Sequence, residues 1–272
     1  MLLEGKTAII TGAGTGLGRG TAEVFAEEGA NVVMVGRRLQ PLEDAAKPIR
    51  DKGGSAFCVT GDVGEYNSVQ QLVGKAISEF GGVDIVINNA ARHPKWNYLH
   101  RIDPEHFDES FAVNIKGPFM MMKEAIPSML ERGGGAIVNI SSILGVRGMK
   151  YASAYCATKA GMVNMTRAAA LEYYEHGIRV NCVCVGGIDQ AYVDPRHYTP
   201  EERFFMAASN GPAVPAEGPY FKEGEEPPPR PYQPGVGILP RDMAGTLLYL
   251  VGPHSGHITG AIINADRGSS AK

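Results

Sequence analysis

Seven short apolar runs, with helix-like segments between them, constrain the fold of this chain more than any single motif. They are KTAIIT (6–11), NVVMV (31–35), AFCVT (56–60), VDIVIN (83–88), GAIVNI (135–140), RVNCVCV (179–185) and AIINA (261–265). A strand with one wet face would alternate apolar and polar residues. These runs are rich in Val and Ile with little alternation, which fits a parallel sheet covered on both faces. Helix candidates begin near Gly18, Leu42, Asn67, Pro104, Tyr151 and Arg241. The repeated strand–helix order predicts an α/β fold, a doubly wound parallel sheet of about seven strands with helices on both faces. With 44% hydrophobic residues in 272, the chain can fill such a core as one domain over 1–272.

One stretch interrupts the rhythm. From about 189 to 236 the chain holds no core-strand pattern, and GPAVPAEGPYFKEGEEPPPRPYQPG is dense in proline. Proline removes donors and fixes φ, so no central strand or core helix runs through it. The core run AIINA lies beyond it, which makes it an insertion within the domain. Its aromatics Tyr220, Phe221 and Tyr232 suit a structured loop over a binding cleft; a disordered linker is the other reading.

Charge narrows the partner. The chain carries 26 Lys and Arg against 29 Asp and Glu, a formal net charge of -3, with no basic arm. A small molecule is expected, not a nucleic acid. No apolar run reaches the roughly 18 residues of a membrane span, and the N-terminus lacks a signal-peptide pattern. Cys58, Cys156, Cys182 and Cys184 have no ligand-spaced partners, so no metal site is expected and a cytoplasmic location is.

The turn after the first run reads TGAGTGLG (11–18) and leads into a helix. Gly12 permits a tight turn, and Gly16 and Gly18 allow close approach of a phosphate to the backbone. The free N–H groups of the helix start suit a pyrophosphate, so Gly12, Thr15, Gly16, Leu17 and Gly18 are candidate cofactor contacts. The second run ends in Gly36, Arg37 and Arg38, where a carboxylate would read an NAD ribose. With no acid there, Arg37 or Arg38 can take a 2′-phosphate, and NADP is the expected cofactor, NAD the alternative. A solvated strand end would look the same. Asp62 and Val63 follow the third run and suit the adenine; Asn88, Asn89 and Ala90 follow the fourth, at the expected crevice.

The segment YASAYCATKAG (151–161) offers two tyrosines and one lysine. Residues four apart share a helix face, so Tyr155 neighbours Lys159, whereas Tyr151 has no lysine at that spacing. An ammonium beside a phenol favours the phenolate and makes Tyr155 a candidate general acid and base. A packed tyrosine beside a surface lysine has the same spacing. Ser141 and Ser142 close the fifth run in IVNISS, where a hydroxyl can hold a substrate oxygen. Asn114, in FAVNIKG, is a candidate to hold a proton-relaying water, or else merely bends its helix.

Together TGAGTGLG, GDV, NNAA, VNIKG, IVNISS and YCATK, in that order over nearly the whole chain, resemble the classical short-chain dehydrogenase/reductase family. The resemblance implies a single Rossmann-like domain. It selects Ser142 over Ser141 and implies a catalytic tetrad of Asn114, Ser142, Tyr155 and Lys159, with Tyr155 and Lys159 also at the cofactor. It extends the cofactor site to Gly186 and Ile188, and implies a homotetramer or homodimer built through the helices that carry Asn114 and Tyr155. The chain departs from the family pattern at Ala91, where glycine is usual, and at Val185 and Gln190, where proline and threonine are. It departs again at Arg267, which makes DRG of the usual DGG, and in the length of the insertion.

The implied activity is reversible hydride transfer between a nicotinamide cofactor and a ketone or secondary alcohol. Candidate substrate contacts are Ser142 and Tyr155 with Arg92, His93, Lys95, Trp96, Arg147 and Tyr192. Trp96 can stack on a ring, and Arg92 or Lys95 can meet an anion, which favours a polar or anionic aromatic carbonyl compound. The same segment could be a solvated loop with Trp96 packed beneath it, and His93 can equally cap a helix or face solvent. An NAD-dependent dehydrogenase of steroid, sugar or cyclic alcohols is the runner-up. A non-enzymatic nucleotide sensor is the reading from another class.

Overall fold

The structure, a computed structural model, describes residues 1–93, 96–188 and 237–271. All seven apolar runs form strands: β1 (Thr7–Thr11), β2 (Asn31–Gly36), β3 (Ser55–Thr60), β4 (Ile85–Asn88), β5 (Gly135–Ser142), β6 (Ile178–Val185) and β7 (Ile262–Ala265). They pair in the order β3-β2-β1-β4-β5-β6-β7, every pair parallel. The helices are α1 (Gly16–Glu27), α2 (Leu39–Asp51), α3 (Tyr66–Phe80), α4 (Pro104–Phe111), α5 (Gly117–Glu131), α6 (Ser153–Tyr173) and α7 (Pro240–Val251). This is a single Rossmann-like α/β domain. The proposed insertion at about 189–236, with Gln190 and Tyr192, lies outside the described residues, as does Lys95.

Side-chain alternation explains why the runs look uniformly apolar. Ala8 and Ile10 of β1, with Val32 and Met34 of β2, pack with α1, α2 and α7. Their neighbours Ile9, Val33 and Val35 point to the other face, against α3, α5 and α6. Both faces are dry, so no position needs to be polar. Helix α1 lies so close to α7 that a Cβ at Gly20 would stand 2.7 Å from Pro240.

Two elements differ from the sequence expectation. The helix beginning at Pro104 is not continuous: α4 ends at Phe111, a π-helical turn covers Ala112–Lys116, and α5 follows. Asn114 sits inside that turn. Helix α6 starts at Ser153, so Tyr151 precedes it, with φ 64 in the left-handed region. Tyr151 and Tyr155 are therefore not on one helix face.

The end of the sheet away from the glycine turn is held by Asp84. Its carboxylate accepts hydrogen bonds from Thr7 N (2.9 Å), Lys6 Nζ (3.1 Å) and the Arg132 guanidinium (3.1 Å to each oxygen). Burial pushes this carboxyl up, but the Thr7 N–H and the Arg132 and Lys6 cations outweigh it and hold it below the ordinary range. Asp84→Ala should cost about 3 kcal/mol in urea unfolding at pH 7, because it strands buried donors and a guanidinium. A depressed carboxyl contributes stability above its unfolded value of 3.8 and loses it as pH falls through the folded one. The deficit of the variant should therefore shrink in acid.

Candidate active site

The C-terminal ends of the strands bring the expected residues together. Chain order reverses between β1 and β4, and the turns after these two strands interlock. Asn89 Nδ2 donates to the Thr11 carbonyl (2.9 Å) and the Gly12 carbonyl (3.3 Å). Thr11 Oγ1 accepts from the N–H groups of Asn89 and Ala90, each at 3.0 Å. Gly12 has φ 68, and a Cβ at Gly18 would collide with the Gly12 carbonyl oxygen and lie 2.7 Å from Asn89 Nδ2. Both glycines are thus required by the turn itself. Thr15 is extended and makes no side-chain cap to α1, so its side chain leaves the helix's first N–H groups open to an anion.

These features fit a nicotinamide dinucleotide. The α1 N-terminus with Gly12, Thr15, Gly16, Leu17 and Gly18 would hold its pyrophosphate. Arg37 and Arg38 are exposed at the end of β2, and Arg37 has no ion pair among the described residues. Asp62 closes the turn after β3, accepting from Gly64 N (2.8 Å), while its own N–H donates to Ser68 Oγ (2.9 Å). Val63 is buried against Gly117. Gly186 leaves β6 so close to Asp266 that a Cβ would meet its Cα at 2.8 Å, and Ile188 bridges to Ile238. Ala91 is exposed, so its methyl does not press on the turn.

Lys159 is 2% exposed, and its Nζ donates to the Ile140 carbonyl (2.8 Å). Burial pulls the ammonium down to about 8. It stands 5.6 Å from the centre of the Tyr155 ring, so it acts on the phenol through space. The two serines of β5 separate cleanly. Ser141 is buried and donates to the Lys159 carbonyl (2.9 Å), whereas Ser142 is half-buried and, among the described residues, accepts from Leu144 N (3.2 Å). Ser142 is the one with a hydroxyl proton to offer a substrate. Gly145 makes the approach of this turn to α6 possible, since a Cβ there would lie 2.8 Å from the Lys159 carbonyl.

Asn114 joins two segments of the site. Its side chain is fully buried: Oδ1 accepts from Arg92 N (2.8 Å), and Nδ2 donates to the Arg92 carbonyl (2.8 Å) and to Thr158 Oγ1 (3.2 Å). With both amide donors engaged, the side chain clamps the segment after β4 to α6.

Several candidate substrate contacts have protein partners. The Arg92 guanidinium pairs with Glu109 of α4, and Arg147 donates to the Ser269 carbonyl (3.1 Å). Trp96 is buried in a cluster with Ile143, Leu144, Tyr151 and Tyr155, so it walls the site rather than standing at its rim. Tyr151 joins this wall edge-on to Tyr98, ring centres 5.1 Å apart. The His93 ring stacks on Tyr155, centres 5.1 Å apart at 25°. Thr11 is the positioning residue the sequence reading missed; a Thr directly before the first glycine was the available signal.

Comparison with known proteins agrees with this arrangement. A family model described as short chain dehydrogenase matches residues 6–199. An uncharacterized oxidoreductase of Thermotoga maritima is 34% identical over 100% of both chains. A cis-4-hydroxycyclohexanecarboxylate dehydrogenase of Sinomonas cyclohexanicum is also 34% identical, over 98% of this chain and 97% of its own. A crystal structure of a 3-ketoacyl-(acyl-carrier-protein) reductase from Brucella melitensis, complexed with NADH, superposes with a TM-score of 0.79 at 30% identity, covering 98% and 99% of the two chains. With a strand order, a glycine turn and a buried lysine–tyrosine pair of this kind, the chain belongs to the short-chain dehydrogenase/reductase family and is an NAD(P)-dependent oxidoreductase.

Proposed function

We propose that the chain interconverts a secondary alcohol and a ketone with NADP(H), Tyr155 moving the proton. The observation that carries this reading is the convergence of a half-buried Ser142 hydroxyl, the Tyr155 phenol and a buried Lys159 cation at the β5–α6 junction. A nicotinamide cofactor, when bound, supplies or accepts the hydride. In reduction, the Ser142 and Tyr155 hydroxyls hold the carbonyl oxygen and Tyr155 gives it a proton. In oxidation, the Tyr155 phenolate takes the alcohol proton. The Lys159 charge stabilises the phenolate in both directions, more strongly for being out of water. Asn114 keeps α6 against the segment after β4, and Ser141 keeps the Lys159 backbone on β5.

NADP is favoured by Arg37 and by the absence of an acid at the β2 end. The proposed substrate is a polar or anionic ring compound, which suits the aromatic wall of Trp96, Tyr98 and Tyr151. A relative named for a ring alcohol bearing a carboxylate supports the class. That name also strengthens the cyclic-alcohol alternative among the dehydrogenase readings. Arg92 or Lys95 would meet the anion. A homodimer or homotetramer belongs to the same reading, supported by exposed Phe107, Phe111, Phe119 and Leu171 on α4, α5 and α6. Among the described residues, no helix is long and apolar enough to cross a membrane.

Three outcomes test the reading. Tyr155→Phe should keep cofactor binding, followed by quenching of protein fluorescence, and lower kcat/KM by about 10²–10⁴, the usual worth of a positioned general acid. Normal turnover would remove Tyr155 from the proton path. Arg37→Glu should weaken NADP by tenfold or more and leave NAD nearly unchanged, since a charge-assisted contact contributes about 1.5–3 kcal/mol. Equal losses would place the 2′-phosphate elsewhere. The third concerns stability. A lysine depressed to about 8 in the folded state and 10.5 in the unfolded one penalises folding below pH 8, and the penalty is relieved as pH rises towards 10.5. The parent chain should therefore gain stability relative to Lys159→Met across that window, by an amount on the order of 3 kcal/mol at most. Parallel pH curves in thermal unfolding would refute the buried charge.

A further inference from the structure

The Trp96 side chain carries one polar atom. The residue is 7% exposed, yet among the described residues its indole Nε1–H meets no acceptor. An indole nitrogen only donates, so no tautomer or change of role can satisfy it. Buried donors in folded proteins are paired, because a bare one has given up its bond to water for nothing, and an exception asks for a reason. The other buried polar atoms in this state among the described residues lie on Thr7 and Asn88, in strands of the sheet, and on His106 in α4. Trp96 instead stands in the wall beside Tyr155.

The placement is fixed from several sides. The indole clusters with Ile143 and Leu144, in the turn directly after Ser142, and with Tyr151, Ala152 and Tyr155 at the start of α6. The next residue, Asn97, donates its N–H to the Tyr151 carbonyl (2.9 Å), and Asn97 Oδ1 accepts from Tyr98 N (2.8 Å). Tyr151 presents that carbonyl from a left-handed backbone, φ 64, which a bulky residue adopts only under constraint. The chain thus accepts strain before α6 to hold the Trp96 segment against the reacting group. Bulk solvent does not reach the nitrogen. Its acceptor has to arrive on a molecule that enters the site.

We propose that the Trp96 indole N–H is a substrate-binding donor, selecting ring ketones and alcohols that bear a second oxygen, a carboxylate above all, away from the carbon that reacts. This deepens the reading of the chain as a ketone and alcohol oxidoreductase and rests on it. The donor is already stripped of water in the free protein, so pairing it costs no further desolvation on its side. A substrate without the second oxygen leaves it bare, and a site of that kind discriminates strongly. Arg92 or Lys95 would attract the anion, whereas an N–H also demands direction. With one oxygen held at the indole and the carbonyl held by Ser142 and Tyr155, the ring is fixed at two points, and its orientation is set.

Trp96 is the one tryptophan of the chain, which permits a single-atom test. Replacing tryptophan throughout by its benzothiophene analogue puts sulfur in place of the N–H at that site and keeps the bicyclic shape. The probes are cyclohexanone and oxocyclohexanecarboxylate, the same ring bearing a carboxylate. The parent should prefer the carboxylated ketone in kcat/KM, and the sulfur form should lose about tenfold to hundredfold of that preference, the effect of one hydrogen bond to a charged acceptor. An unchanged preference overturns the proposal. The second measurement needs no turnover. With nitrogen-labelled tryptophan the chain gives one indole N–H signal by NMR. In the presence of oxidised NADP, which cannot reduce a ketone, oxocyclohexanecarboxylate should move the indole proton downfield, because a hydrogen-bond acceptor deshields it, and cyclohexanone should not. A signal that stays in place with both ketones, or moves equally with both, overturns the subsite. The indole signal reports independently of the chemistry. A downfield shift with the carboxylated ketone, in a chain that reduces neither ketone, would sink the proposed reaction and keep the donor site.

Discussion

The buried Lys159 ammonium at the β5–α6 junction is the constraint around which the site is arranged. A charge taken out of water costs several kcal/mol unless the protein provides partners. Here the partner is the Ile140 carbonyl, and the neighbours of the lysine are organised to keep it there. Ser141 ties the Lys159 backbone to β5, and Gly145 lets the turn after β5 press on α6 without a side chain intervening. Cys182 and Cys184, fully buried on β6 in register with Asn139 and Ser141, are small enough to leave the lysine room. A larger apolar residue on that strand would fill the space that the charge needs. The same burial that destabilises the fold makes the charge effective on Tyr155, because there is little water to screen it.

The cofactor end of the site depends on a different kind of economy. Asn89 and Thr11 use side chains to satisfy the backbone groups that a tight turn leaves over, so the turn between β1 and α1 is held by the strand beside it. The result is a preformed, rigid surface of N–H groups at the start of α1. Rigidity of this kind lowers the ordering cost of binding a phosphate. It also explains why glycine is needed at 12 and 18, whereas Gly53 and Gly81 sit at positive φ with open space around them and serve only to end helices.

The strands were legible in the sequence because burial on both faces writes itself as an apolar run, and the boundaries agree to within a residue or two. The pairing of Tyr155 with Lys159 was legible because helical spacing is local. What was not legible depended on partners distant in sequence. The pairing of Arg92 with Glu109, 17 residues on, is one such contact. The sequence left Trp96 open between stacking at the rim and packing beneath its loop, and contacts with Ile143 and Tyr151 show it packed. The family resemblance singled out Ser142 over Ser141; along β5 the two face opposite sides, and it is Ser141 that turns to the Lys159 carbonyl. Tyr151 was misplaced onto α6 because nothing in its identity announces a left-handed backbone.

The interruption at Asn114 links these threads. A continuous helix from Pro104 to Glu131 would set Pro118, which has no N–H, in its interior; the chain instead spends the five residues Ala112–Lys116 in a π turn ahead of it. Such turns are marginal in isolation and persist where tertiary contacts over-determine them. Here the contacts are those of the Asn114 amide, which reaches Arg92 on one side and Thr158 on the other, with Thr158 Oγ1 in turn donating to the Tyr155 carbonyl (2.9 Å). A residue that merely bent its helix would need none of these partners. The turn therefore joins the segment carrying His93 to the helix carrying Tyr155, and fixes the two rings that face each other across the site.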